Sequence, residues 1–221
     1  MWKYEALLVL HVLFVITWLG PDFVSWYVAW LARVPRFELP VRLQVVEILR
    51  VIDQFSRMST ILLIPTGIGL LRVSGWGLQS VPVALLWLAA AVCFIWAAAN
   101  FWFTALQKSF HGLKPFFIAD QLLRLSVAVA ALVLIGTSIG SGGIDQAWLF
   151  VKVAIFAAIM LSAIVAFMLP NPFLILGEII EGGSTEDRES RFTSSLDKIM
   201  TIVVGINTSL VVLVIVAVTK L

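Results

Sequence analysis

The chain has 221 residues, of which 61% are hydrophobic and 13% charged, and its net charge is +2. An ordinary soluble domain carries roughly 25% charged residues, and a mean hydropathy of +1.05 is more apolar surface than a soluble fold of this size can bury. Composition therefore excludes a soluble enzyme, a disordered chain and a disulfide scaffold. The small net charge gives no reason to expect a nucleic-acid partner; the partner implied is the lipid bilayer.

A membrane span needs about 20 mostly apolar residues. Six are predicted, at about 5–31, 46–72, 80–106, 118–139, 147–169 and 196–219, so the expected fold is all-α: one domain, a bundle of six transmembrane helices. The first span is too long for a signal-peptide core and is followed by no A-x-A site. Its Gly20-Pro21 pair predicts a bend. Residues 38–46 (ELPVRLQVV) are expected to lie at the interface ahead of span two. Span three holds Cys93, the single cysteine, which reads as a small buried hydrophobe. After span five, Pro170-Asn171-Pro172 stops the helix, and 173–181 (FLILGEIIE) reads as a short amphipathic interfacial helix. The stretch EGGSTEDRESR, 181–191, is expected to be a polar loop.

The positive-inside rule orients the bundle. The loops after spans one, three and five hold Arg33, Arg36, Arg42, Lys108, Lys114, Arg188 and Arg191, with Lys198 just inside span six; the other side has Lys3, Arg72 and Lys220. Both termini are expected to face outward, from a bacterial inner (cytoplasmic) membrane. Trp2, Trp76 and Trp148 then fall at the outer interface and Trp26, Trp30 and Trp102 at the inner one, the two levels indole rings favour. Span two ends in Thr66-Gly67-Ile68-Gly69 and span four in Thr137-Ser138-Ile139-Gly140. The echo fits a parallel hairpin duplication, or small residues gathering where helices pack closely.

Charges at membrane depth are costly and mark candidate sites. Glu47, Arg50, Asp53 and Arg57 follow at steps of three and four on one face of span two. By helix rise, Asp22 and Arg57 each lie about 15 Å from the inner end of their span, and Asp53, Asn100 and Arg124 about 10 Å. Asp120 and Arg124 form an i,i+4 pair at the start of span four. A buried network of Asp22, Arg50, Asp53, Arg57, Asn100, Asp120 and Arg124 is expected, with Asp22–Arg57 and Asp53–Arg124 as ion pairs. It would fix helix register, carry protons, or anchor an anionic group.

In the outer half, His11 lies about 9 Å and Lys152 about 7 Å below the outer ends of their spans, so the two are at similar depth. Histidine has a neutral form and a ring nitrogen able to bind metal; a lysine there snorkels, finds a partner or loses its proton. Trp18 follows His11 by seven residues, on the same face. The other histidine, His111, lies near the opposite surface, which argues against a bis-His cytochrome within one chain. The five methionines form no M-x-x-M or M-x-x-x-M pair, so a dedicated copper path is not expected.

The segment LLVLHVLFVITWLG, 7–20, resembles the first helix of the CopD-like and HemJ-like integral membrane proteins. DQFSRMSTILLIPTGIGLL, 53–71, and WLFVKVAIFAAIML, 148–161, fit the same pattern, and the resemblance covers about half of the chain. It implies a haem-associated protein acting in porphyrin oxidation, in which His11 and Lys152 are the important positions, or a role in copper uptake. The typical HemJ-like chain is shorter and the CopD-like one longer. The leading expectation is a b-type haem near the outer leaflet, with His11 as axial and metal ligand, Lys152 as sixth ligand or propionate contact, and Trp18 against the macrocycle. The alternatives are a transporter or channel for a small solute, proton or metal using the inner charges, and a non-catalytic subunit of a homo-oligomer or membrane complex. Whether the chain is an enzyme is left open.

Overall fold

The computed structural model describes residues 2–34, 37–76, 78–103, 114–141 and 147–219, and among them every regular element is a helix. In chain order these are α1 (Trp2–Ala32), α2 (Leu39–Val73), α3 (Val83–Phe101), α4 (Lys114–Ser141), α5 (Ala147–Met168), α6 (Pro172–Gly182) and α7 (Glu186–Thr219). Five of them, α1, α3, α4, α5 and α7, are long and apolar enough to cross a membrane. The chain is accordingly an integral membrane protein by length and composition. The remaining long helix, α2, has 35 residues and carries Arg42, Glu47, Arg50, Asp53 and Arg57 in its first half, which makes it too polar to qualify on composition.

The six long helices close a ring. The most extensive interface is α1 with α2; α2 packs on α3, α4 on α5, α5 on α7, and α7 returns to α1. α4 closes on α2 and α3 through a cluster of Ile61, Cys93, Trp96 and Ala97, against which Leu123 and Val127 pack. The burial of Cys93 in that cluster is what its apolar surroundings suggested. The outward faces stay apolar, with Trp87, Ile95 and Val218 at 73%, 70% and 76% exposure, as lipid-facing positions must be.

One end of the ring is braced by α6. Ile175, Leu176 and Ile179 of this short helix pack against Ala29 and Ala32 of α1, Val46 and Leu49 of α2, and Phe192 and Leu196 of α7. The amphipathic reading of 173–181 therefore corresponds to a real helix whose apolar stripe faces protein. At the other end Trp76 and Trp148 meet edge to face with ring centroids 5.1 Å apart. Gly75 there takes φ 77°, which lets the chain leave α2 with Trp76 N–H donating back to the Leu71 carbonyl.

Two boundaries differ from expectation. Residues 39–46 are the first turns of α2 itself, with proline in the N1/N2 position where its missing N–H costs nothing. The polar stretch 181–191 is mostly helical: α7 begins at Glu186, and only 183–185 stay outside a helix. The Thr185 side chain accepts from Arg188 N–H, and Glu186, Asp187 and Glu189 fill a first turn whose exposed N–H groups favour negative charge. α1 runs unbroken through Pro21. Residues 104–106 of the expected third span, His111, Arg36, Lys108, and residues 142–146 lie outside the described residues.

Candidate functional site

The α1–α2 interface carries a series of polar groups. Starting from the end that holds the chain termini, His11 Nδ1 lies 2.8 Å from Thr66 Oγ1. Thr66 donates its own hydroxyl proton to the Leu62 carbonyl at 3.0 Å, so it accepts from the imidazole. The hydrogen-bond network thus assigns the Nδ1–H tautomer to the neutral ring and leaves a lone pair on Nε2. Gly67 follows Thr66 and allows the ring to lie close: a Cβ added there would stand 3.6 Å from His11 Cε1. Lys152 on α5 is within electrostatic range of His11, and its ammonium lies 5.9 Å from the centroid of the Trp148 ring.

One to two turns further along, Thr17 Oγ1 and Ser59 Oγ lie 2.8 Å apart across the same interface. Then comes Asp22. Its carboxylate accepts from Trp18 Nε1–H at 3.1 Å, a bond between successive turns of α1. Ser56 of α2 and Asn207 of α7 present polar groups to the same carboxylate. Ser56 Oγ also donates to the Trp18 carbonyl at 3.2 Å. Pro21 carries no N–H, so the Thr17 carbonyl lacks its usual helical donor at this level.

Beyond Asp22, Arg57 donates from Nε to Asp53 Oδ2 at 2.5 Å within α2. The pair is far from sealed, with side-chain exposures of 39% and 37%. Asp22 and Asp120 both lie within electrostatic range of Arg57. Asp120 is the most heavily bonded group of the set. It accepts from Trp96 Nε1 at 2.7 Å, Asn100 Nδ2 at 3.0 Å and Arg124 Nε at 3.0 Å, and it is 2% exposed.

The structure thus gathers Asp22, Asp53, Arg57, Asn100, Asp120 and Arg124 into one region and corrects the expected pairing. Arg57 bonds Asp53 rather than Asp22, and Arg124 bonds Asp120 rather than Asp53. The reason is reach. A guanidinium one helical turn from a carboxylate meets it with little loss of rotamer freedom, whereas a cross-helix pair must span the full interaxial distance. Arg50 is paired with Glu47 at 2.8 Å. Trp18 lies along the thread, its ring packed with Leu63, Ile159 and Leu210 and its N–H committed to Asp22.

Several contributors were not legible as site residues, Thr66, Thr17, Ser59 and Ser56 among them. Trp96 could have been found as the residue one turn before Asn100 on α3. Asn207 is a lone amide in an apolar run, the usual mark of a buried polar contact. Arg42 had been counted among loop charges, yet it is buried and grips Glu189 of α7. No three of His, Cys, Asp and Glu among the described residues converge on a point where a metal ion could sit.

Compared with protein-family models, with curated proteins and with solved structures, the chain has no significant match.

Proposed function

We propose that the protein moves protons across the membrane along the α1–α2 interface, with α2 as a sixth membrane-crossing helix and both termini on the outer side. One observation carries the reading: a series of polar groups along the α1–α2 interface falls in a single file. His11–Thr66, Thr17–Ser59, Asp22 with Trp18 and Ser56, and Asp53–Arg57 succeed one another down the same pair of helices. From His11 to Asp22 is about 16 Å of helix, and from Thr66 to Asp53 about 20 Å, most of a hydrocarbon core. The stations are several ångströms apart, so bridging waters complete the path, as polar contacts beyond direct reach require.

The chemistry suits each station. The free Nε2 of His11 accepts a proton, and Nδ1–H releases one toward Thr66; the ring passes charge by turning over its tautomer. Hydroxyls at Thr17 and Ser59 both donate and accept. Asp22 holds or gives up a proton without a guanidinium of its own. The exposed Asp53–Arg57 pair opens this file to water at the other end. The test is an acid pulse applied to vesicles containing the purified protein and a trapped pH dye. The dye should respond faster than in empty vesicles, and His11→Ala and Asp22→Asn should each slow it toward the empty-vesicle rate. A wild type no faster than empty vesicles overturns the reading.

A second reading has one favouring observation. With Nδ1 held by Thr66, His11 presents Nε2 as a metal ligand, and Lys152 lies in range. This is the b-type haem that the resemblance to the CopD-like and HemJ-like proteins implies. The fit is partial. A donor is present, but Trp18 is committed to Asp22, and Phe14, Val15, Ile155 and Phe156 pack between α1 and α5 one turn further in. A Soret band in protein expressed with ample haem, lost in His11→Ala, would establish it. A colourless wild type removes it.

A further inference from the structure

The charges around Asp22 do not balance. Among the described residues, three carboxylates, Asp22, Asp53 and Asp120, share the region with two guanidiniums, Arg57 and Arg124. Asp53 and Asp120 each hold one guanidinium. Asp22 is left over, 6% exposed and bonded only to neutral groups. An ionised carboxylate buried this way is costly unless a positive charge joins it.

The groups around it suit a metal cation as well as a proton. Asn207, 9% exposed, faces Asp22 from α7, and its Oδ1 is buried with no hydrogen-bond partner. Ser25, 4% exposed, stands one turn from Asp22 on the same face of α1, and its Oγ is also buried without a partner. Ser56 Oγ lies 3.2 Å from the Trp18 carbonyl and also faces the Asp22 carboxylate, and its lone pairs remain open to a cation. The Thr17 carbonyl has lost its helical donor to Pro21. Buried oxygens with nothing to bind are rare in folded proteins and call for a ligand. A carboxylate with several neutral oxygens is the donor set of a hard cation. One uncompensated negative charge sets its valence at one.

We propose that Asp22, Ser25, Ser56 and Asn207 bind a monovalent alkali cation, sodium being the probe, between α1, α2 and α7. The inference rests on the proton-transfer reading, because the cation and the proton compete for the same carboxylate. Sodium bound there would compensate Asp22 and interrupt the proton file, so each ion would be taken up only when the other leaves.

The test is the melting temperature of the full-length protein in detergent, with NaCl replaced stepwise by choline chloride at constant ionic strength. The wild type should melt higher in sodium, with a saturating dependence. Asp22→Asn should abolish the dependence. Asn207→Ala and Ser25→Ala should each move its midpoint to roughly tenfold more sodium, the loss expected from one ligand to a charged group. His11→Ala should leave it unchanged. If Asp22→Asn does not fold, the two milder variants decide: an unmoved midpoint in both overturns the site. Equal melting of the wild type in both salts also overturns it. The acid pulse in sodium-free vesicles separates the two claims. Proton flux without any sodium effect keeps the proton path and removes the cation site. A sodium-dependent melt without flux keeps the site and removes the path.

Discussion

Arg42 of α2 holds both carboxylate oxygens of Glu189 of α7, at 2.9 and 2.8 Å, although 147 positions separate them in the chain. The same guanidinium donates from Nε to the Ala32 carbonyl at 2.9 Å, where α1 ends, and lies 5.2 Å from the centroid of the Phe192 ring. One side chain thus ties the ends of three helices above the α6 brace. Its own side chain is 4% exposed, so its charge depends on that partner. Glu189→Ala should destabilise the protein by about 3 kcal/mol, since it leaves a buried guanidinium unpaired. The double variant Arg42→Met, Glu189→Ala should recover part of that loss in a thermal melt.

The same pair sets a pH dependence. Glu189 lies on the polar first turn of α7, ahead of its apolar stretch, and the hydrogen bonds from Arg42 hold its carboxyl below the ordinary glutamate value of 4.5. A folded pKa below the unfolded one means the unfolded chain binds the proton more readily. The pair therefore contributes fully above the unfolded value, and its contribution is lost as pH falls through the folded one. Melting temperature should decline less between pH 6 and 3 in Glu189→Gln than in wild type, both limits being about those that bracket a glutamate titration.

Asp120 organises the contact of α3 with α4. Asp120→Ala removes the acceptor of Trp96, Asn100 and Arg124 at once and should cost about 3–5 kcal/mol, the range for breaking a buried ion pair. Trp96→Phe removes one donor and should cost about 1 kcal/mol. Denaturation followed by tryptophan fluorescence would order the two, and equal losses would contradict the central place given to the carboxylate.

Thr66 fixes the tautomer of His11. Thr66→Val removes the acceptor of Nδ1–H and should cost about 1 kcal/mol. Nitrogen NMR of labelled histidine should show Nδ1–H as the dominant neutral tautomer of His11 in wild type and a mixture in Thr66→Val. An Nε2–H ring in wild type would contradict the assignment.

The Asp53–Arg57 pair predicts water deep in the bundle. Both side chains are more than a third exposed, whereas Asp22, along the same file, is 6% exposed. A small water-soluble methanethiosulfonate should label Asp53→Cys in the folded protein and leave Asp22→Cys unlabelled. The native Cys93 is buried and should stay unreactive, so no cysteine-free background is needed. Protection of Asp53→Cys would place that pair against lipid.

How much was legible follows from the kind of interaction involved. Composition alone determined that the chain belongs in a bilayer, because apolar content adds up irrespective of arrangement. Hydropathy and the Pro170-Asn171-Pro172 stop placed most of the helices, and helical spacing put Asp120 one turn from Arg124, although the ion pair expected for Arg124 was with Asp53. Depth counting brought His11 and Lys152 to one level. Local rules could not reach further. Which helix faces which is a packing outcome, and it decided that His11 meets Thr66, that Asn207 faces Asp22, and that Arg42 is buried on Glu189. The expected Asp22–Arg57 pair had the right depth and the wrong partner, because depth leaves rotation about the helix axis free. Only tertiary structure fixes that angle, and with it which of the three described carboxylates is left without a guanidinium: Asp22.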